Sequence, residues 1–268
     1  MKKRDENGWD AETYDNVSTP QEDFALKLVQ LRNWAGNEIV MDAGCGSGRV
    51  TKILAKKITN GRIYAVDNDA NMIDKAKHNL SEFENIAIIN SNLLDLSLKI
   101  IPSKVDLIFS NAVLHWISDH PKVFNIFFDL LNHKGQLLIQ CGGYGNLKNA
   151  VSVFDRVKDS EKFRHFFREW KDTWHFPKPS ETEKILKEIG YSNVKVYLKE
   201  TPISFPDRNS YSAYLKTVIL GPYLRHFRAE NGKAEYLEYV LEEIEQNHPE
   251  MMWNFDYVRL NILADKTM

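Results

Sequence analysis

The 268-residue chain has little cysteine: only Cys45 and Cys141, with no metal-like spacing between them. A disulfide framework and a zinc site are therefore not expected, and both thiols are read as reduced. Long apolar runs are absent as well. None approaches the roughly 18 residues that cross a bilayer. The opening stretch MKKRDENGWDAETYD carries no apolar core behind its basic residues, which predicts a soluble cytoplasmic protein with no membrane partner. Charge of one sign is also lacking. Lys and Arg number 35 against 37 Asp and Glu, a formal charge of −2, so no global basic field draws the chain to nucleic acid. No internal repeat or low-complexity tract interrupts the sequence, and its 43% hydrophobic content suits a packed globular protein.

What is present is an alternation. EIVMDAG, GRIYAVD, IAIINSN, VDLIFSNA and GQLLIQCG are short Ile-, Val- and Leu-rich runs closed by Gly, Asn or Asp, and each reads as a buried strand. Between them RVTKILAKKI, ANMIDKAKHNLSEF and KVFNIFFDLLNHKG space apolar residues by three and four, the last ending in a Lys-Gly helix stop. Strand and helix repeated in this way require a parallel sheet covered on both faces, an α/β doubly wound fold. After Gly145 the rhythm changes. Residues 146–176 read as helical, with FRHFFREW as an amphipathic lid helix rather than an RNA-stacking surface, and Pro177 and Pro179 end the run. A capped helix, a glycine stop and a long strand follow. Residues 207–250 return to helices broken at Gly221-Pro222, and MMWNFDYVRLNILADK reads as the last strand. The expected organisation is an N-terminal helical cap segment (1–30), a ligand-binding core (31–145) and a C-terminal part (146–268) whose helical insertions cap the ligand edge.

The most informative stretch is IVMDAGCGSGRV, residues 39–50. A dinucleotide fingerprint wants a small residue at position 49, which is Arg, and a phosphate loop wants a Gly-Lys pair that does not follow. What remains is an acid at a strand end, Asp42, and then a turn stripped of side chains at Gly44, Gly46 and Gly48, so that backbone approaches a ligand closely. Nineteen residues past Gly48, Asp67 closes the next strand, where a carboxylate accepts hydrogen bonds from two ribose hydroxyls. On its own such a turn also serves to pack a helix on a strand. Acid, turn, spacing and second acid together favour a nucleoside ligand that carries an amino acid.

These residues resemble the class I S-adenosylmethionine-dependent methyltransferases, whose first motif is an acid followed by G-x-G-x-G. The resemblance implies a mostly parallel seven-stranded sheet with an antiparallel last strand, and S-adenosyl-L-methionine as cofactor. Its binding set would be Asp42, Gly44, Gly46 and Gly48 for the methionine part, Asp67 with Asn68 for the ribose, and Asn92 with Leu93 for adenine. Asn111 at the fourth strand end and Tyr14 complete the set. Position 92 often carries Asp in that family, and here it is Asn.

A second stretch, VDLIFSNAVLHWISDH, places His115 and Trp116 at the carboxyl edge of the sheet, where ligands bind in open α/β folds. With Trp9 and Tyr14 in a W-x-x-x-x-Y pattern, it resembles the trans-aconitate methyltransferase-like subgroup. That resemblance implies a small carboxylic acid as methyl acceptor and a pocket at His115 and Trp116. Trp9, Tyr144, Tyr223 and Arg225 are candidates for holding the substrate, because an acid needs a cation or aligned donors. His115 has three readings: it fills the sheet edge through one hydrogen bond, it donates to the substrate, or it acts as a base on an amine or hydroxyl. The alternatives to O-methylation are N- or C-methylation of an amine, quinone or lipid, and binding of the cofactor without turnover. The Asn-Pro-Pro-Tyr signature of base methylation is absent from Ser110-Asn111-Ala112-Val113, so nucleic acid is not an expected partner. Oligomeric state is not legible.

Overall fold

Successive residues of the core strands point to opposite faces of the sheet, and the sequence places apolar side chains at both. A computed structural model describes residues 19–267. In it Val40, Ile63, Leu107 and Leu138 face one side, while their neighbours Met41, Tyr64, Ile108 and Leu137 face the other. The strands are β1 (Ile39–Ala43), β2 (Arg62–Asp67), β3 (Ile86–Asn90), β4 (Val105–Asn111) and β5 (Leu131–Gly142). Helices α1 (Thr19–Val29) and α2 (Arg49–Lys57) cover the first face with Ala25, Leu28, Leu54 and Ala55. Helix α3 (Ala70–Asn79) follows β2, and its N-terminus is capped by the Asp69 carboxylate, which accepts from the Met72 N–H. Helices α4 (His120–Leu130) and α6 (Pro179–Ile189) cover the other face with Phe124, Phe127 and Leu186. Helix α5 (Lys148–Asp159) precedes α6 in the chain.

Strands β6 (Ser192–Glu200) and β9 (Val258–Asp265) complete a seven-stranded sheet in the order β3-β2-β1-β4-β5-β9-β6. Pairs among β1 to β5 are parallel, and β9 runs antiparallel to β5. The chain winds outward from β1 to β3 and then returns to β4 on the other side of β1. The switch point thus falls between β1 and β4, the crevice where open α/β sheets bind ligands.

Two local expectations are corrected. The helix expected to run to Lys134-Gly135 stops at Leu130, because Leu131 already pairs with Val105 in the sheet. Lys134 itself takes the left-handed conformation, with φ +66°. The FRHFFREW segment forms no helix beyond the single 3-10 turn Arg164–Phe167. Tertiary packing overrides its helical spacing, with Phe163 buried edge-on against Phe227, Tyr236 and Tyr239.

The chain divides into two compact units. The sheet unit takes the chain up to Tyr144, then Trp174–Lys199 and the segment from Arg259 on. The second unit comprises Gly145–Thr173 and Glu200–Val258. It is helical, with α5, α7 (Arg208–Tyr214), a π-helical turn at Leu215–Ile219, α8 (Gly221–Leu224) and α9 (Glu230–Asn247), plus a two-stranded pair of β7 (Ile203–Ser204) and β8 (Asn254–Phe255). Its core is aromatic, built on Phe154, Phe163, Tyr211, Tyr214, Tyr223 and Tyr236. Among the described residues no helix is long and apolar enough to cross a membrane.

Lys266, buried beyond β9, donates from Nζ to the carbonyls of Phe128 (2.6 Å) and Leu131 (3.1 Å), which lie where α4 ends and β5 begins. Lys266→Met strips both buried acceptors of their donor, so denaturant unfolding should show a loss of about 1–3 kcal/mol.

Candidate active site

The turn after β1 is stitched to the end of β2. The N–H groups of Gly44 and Cys45 both donate to the Val66 carbonyl, at 2.8 and 2.9 Å. The next N–H, that of Gly46, donates to Asp67 Oδ2 at 2.9 Å. The three glycines serve different purposes, although all have positive φ (82°, 54° and 86°). A Cβ on Gly44 would lie 2.1 Å from Val113 Cγ2, and one on Gly48 would lie 2.7 Å from Leu80 Cδ1. Gly44 thus lets the turns after β1 and β4 touch, and Gly48 lets α2 begin against Leu80. At Gly46 a Cβ would meet nothing within 4 Å. This is the open floor of the cleft, whose walls include Asp42, Gly44, Ser47, Arg49 and Asn111.

Two carboxylates frame the turn. Asp42 is only 2% exposed and accepts from the Thr51 hydroxyl at 2.6 Å. Burial raises its pKa to about 7, against the opposing Thr51 hydrogen bond and with a further push from the negative charge of Asp67. Burial also raises the pKa of Asp67, while the N–H groups of Asp69 and Gly46 work against the rise. Asp67 Oδ1 accepts from the Asp69 N–H at 2.9 Å. Each of its oxygens is thereby oriented by a backbone N–H.

The edge after β4 supplies the rest. Asn111 donates from Nδ2 to the Gln21 carbonyl (3.0 Å), and its Oδ1 is buried with no hydrogen-bond partner among the described residues. Ala112 takes a left-handed φ of 61°, a conformation uncommon outside glycine, and the chain then folds into a short 3-10 turn, Leu114–Trp116. His115 is 9% exposed, and its Nδ1 accepts from the Gly142 N–H of β5 at 3.2 Å. An Nδ1 that accepts carries no proton, so the ring proton sits on Nε2. Burial first, then the positive charges of Arg259 and His120, hold the His115 pKa well below the ordinary imidazole value. The Nε2–H has no protein partner among the described residues.

Asp42, Gly44, Gly46 and Asn111 thus line one crevice, Asp67 is tied to it through the Gly46 N–H, and Gly48 packs at the start of α2. Asn68 is exposed beside Asp67. Asn92 accepts from the Leu94 N–H through Oδ1 at 2.9 Å, which caps a 3-10 turn, and its amide N–H groups stay available. The Leu93 side chain belongs to the apolar core, so what it offers a ligand is backbone. Trp116 is half-buried next to His115, and Tyr144 is 57% exposed beneath the Lys178 ammonium. Tyr223 is corrected: it is 1% exposed in the aromatic core of the second unit, and its hydroxyl is taken by Asp155 at 3.1 Å. Arg225, exposed in the same unit, donates to Thr173 Oγ1 (2.9 Å) and the Pro222 carbonyl. Trp9 and Tyr14 lie outside the described residues.

Sequence reasoning missed Gln21 and Glu22 of α1, which line the cleft, Glu22 through its ion pair with Arg49. It also missed Arg259, which is buried with its guanidinium 4.9 Å over the Phe24 ring. An arginine inside an otherwise apolar strand pattern, VRLNILAD, was the one available signal for it.

This crevice fits a cationic amino acid joined to a nucleoside. The unsatisfied Asn111 acceptor and the Asp42 carboxylate suit an ammonium, Asp67 suits a ribose diol, and the open floor at Gly46 admits a ligand pressed against backbone. On a doubly wound sheet with an antiparallel last strand it defines a class I S-adenosylmethionine-dependent methyltransferase.

The chain belongs to the methyltransferase domain family, whose model matches residues 35–197. It is similar to a malonyl-[acyl-carrier protein] O-methyltransferase of Ilyobacter polytropus, 30% identical over 57% of this chain and 58% of that protein. The match therefore spans under three fifths of that relative's length. The trans-aconitate 2-methyltransferase of Deinococcus radiodurans is 23% identical over 96% of this chain and 98% of its own. Among solved structures, the YcgJ protein of Bacillus subtilis superposes with a TM-score of 0.62 at 15% identity, covering 92% of this chain and 99% of that one. A Haemonchus contortus phosphoethanolamine N-methyltransferase in complex with S-adenosyl-L-methionine gives 0.60 at 15% identity, over 96% of this chain and 57% of that one. At these identities the superpositions report the fold.

Two outcomes follow from the geometry. Gly46→Val should abolish S-adenosylmethionine binding in calorimetry yet still melt cooperatively, whereas Gly44→Val, driven into Val113, should lose the cooperative melt. A ligand ammonium favours ionised Asp42, whose pKa is raised to about 7 in the free protein. Affinity should therefore rise with pH and be about tenfold weaker at pH 6 than at pH 8. An affinity that is flat over that range would remove Asp42 from the binding set.

Proposed function

We propose that the chain methylates an oxygen of a small carboxylic acid, with His115 as hydrogen-bond donor to the acceptor. The carrying observation is the state of His115: the Gly142 N–H occupies Nδ1 and burial holds the ring neutral, so the ring proton sits on Nε2 as a donor with no protein partner among the described residues. An amine or phenol acceptor has a proton to lose and calls for a base. His115 is a poor one, with one nitrogen engaged and a depressed pKa. A carboxylate is already anionic at neutral pH and asks only for orientation and a donor. Bound S-adenosylmethionine supplies an electrophilic methyl group on a sulfonium. The glycine turn, Asp42 and Asp67 would hold its two ends, and Val113, packed against Gly44, belongs to the turn that carries His115.

Two relatives support the acid reading by name, since malonyl-[acyl-carrier protein] and trans-aconitate are both carboxylic acids. The exposed Tyr144 retains the surface a substrate needs.

The test is transfer of a labelled methyl group to panels of acids, amines and phenols. A base-labile ester is expected on an acid. Labelled amine or phenol ether, with acids inert, refutes the proposal. At saturating S-adenosylmethionine, which removes the Asp42 effect on cofactor affinity, the rate between pH 6 and 8 should show no imidazole limb, because His115 takes up a proton only well below the usual value. Replacing the donor with an apolar ring, His115→Phe, should cost about 1.5–3 kcal/mol of transition-state binding, read as roughly a 10- to 150-fold fall in kcat/KM. His115→Gln, which keeps an N–H, should recover most of it.

A further inference from the structure

Residues expected to be helical before α6 instead form an extended strap, Trp174–Lys178, laid along the turn that carries His115. Two backbone hydrogen bonds fix it: the His175 N–H donates to the His115 carbonyl at 2.9 Å, and the Tyr144 N–H donates to the Pro177 carbonyl at 3.0 Å. In an extended segment alternate side chains share a face. Here His175 turns to His120, with ring centroids 4.7 Å apart, while Trp174 and Phe176 pair with each other at 6.0 Å and 18°. Trp174 reaches Trp116 (5.9 Å) and Phe176 reaches His115 (6.0 Å), and His115 itself lies 5.2 Å from Trp116. The three rings are half-buried, so part of each stays open to solvent. Clustered, partly exposed aromatic surface of this kind marks a binding surface more often than a core.

Building on the carboxylate reading, we propose that Trp174 and Phe176 of the strap, together with Trp116, form the wall that selects the acceptor. They favour a monocarboxylic acid with a planar, unsaturated body over a polycarboxylate. Aromatic faces carry a negative quadrupole: they stack on flat unsaturated carbon and repel a second carboxylate. The His115 Nε2–H receives one carboxylate, and the remainder of the substrate then lies against rings. Trp174 and Phe176 are specificity residues and take no proton.

The test compares cinnamate with trans-aconitate as methyl acceptors, with S-adenosylmethionine affinity measured on each protein by calorimetry. The unmodified chain should show kcat/KM at least tenfold higher for cinnamate. Trp174→Ala should raise the KM for cinnamate at least tenfold with cofactor affinity unchanged, and Phe176→Leu should raise it less. If Trp174→Ala does not melt cooperatively, Phe176→Leu and the acceptor ratio of the unmodified chain decide. A preference for trans-aconitate, or a KM for cinnamate unmoved in both variants, overturns the inference while leaving the acid reading intact. Labelling of amines with both acids inert defeats the acid reading and this inference with it.

Discussion

Three consecutive backbone N–H groups, those of Gly44, Cys45 and Gly46, are held by the end of β2 through the Val66 carbonyl and the Asp67 carboxylate. Everything in the site depends on that seam. It sets the turn with its backbone open at Gly46, fixes the orientation of the Asp67 carboxylate, and brings Asp67 close enough for its negative charge to raise the Asp42 pKa. A side chain at Gly44 would push the turn away from Val113, and with it the segment that bears His115. One seam therefore links the ends of three strands, and the site is a property of the sheet's switch point rather than of any single motif.

The electrostatics divide the crevice in two. On the cofactor side, burial raises both carboxylates against the hydrogen bonds that oppose the rise, which leaves them responsive to an arriving cation. At the turn after β4, burial and neighbouring positive charge keep His115 uncharged. A neutral imidazole with one nitrogen committed to the Gly142 N–H is a directional donor. The same fold thus raises two carboxylates at the glycine turn and holds a neutral imidazole after β4.

Much of this was legible in the sequence, for a local reason. The glycine turn, the two strand-end acids and the strand–helix alternation are written in contiguous residues whose periodicity decides their structure, so Asp42, Gly46 and Asp67 fall where their spacing places them. Long-range packing hid the rest. Trp174 and Phe176 sit in a segment that reads as helical, but two backbone hydrogen bonds, from the His175 N–H to the His115 carbonyl and from the Tyr144 N–H to the Pro177 carbonyl, tie it to the sheet unit instead. The FRHFFREW run has helical spacing, yet Phe163 is claimed by rings far away in the chain. Tyr223 follows a Gly-Pro break and looks like a loop residue, but it stacks on Tyr236 in a core. In each case tertiary contacts settled what local pattern left undetermined.

The central claim is that the crevice between β1 and β4 is built for a nucleoside bearing an amino acid and not for a dinucleotide. Calorimetric titration of the unmodified chain with S-adenosylmethionine and, separately, with NAD tests it most directly. One-to-one binding of S-adenosylmethionine and no heat from NAD are expected. Saturable binding of NAD, with S-adenosylmethionine silent, would contradict it.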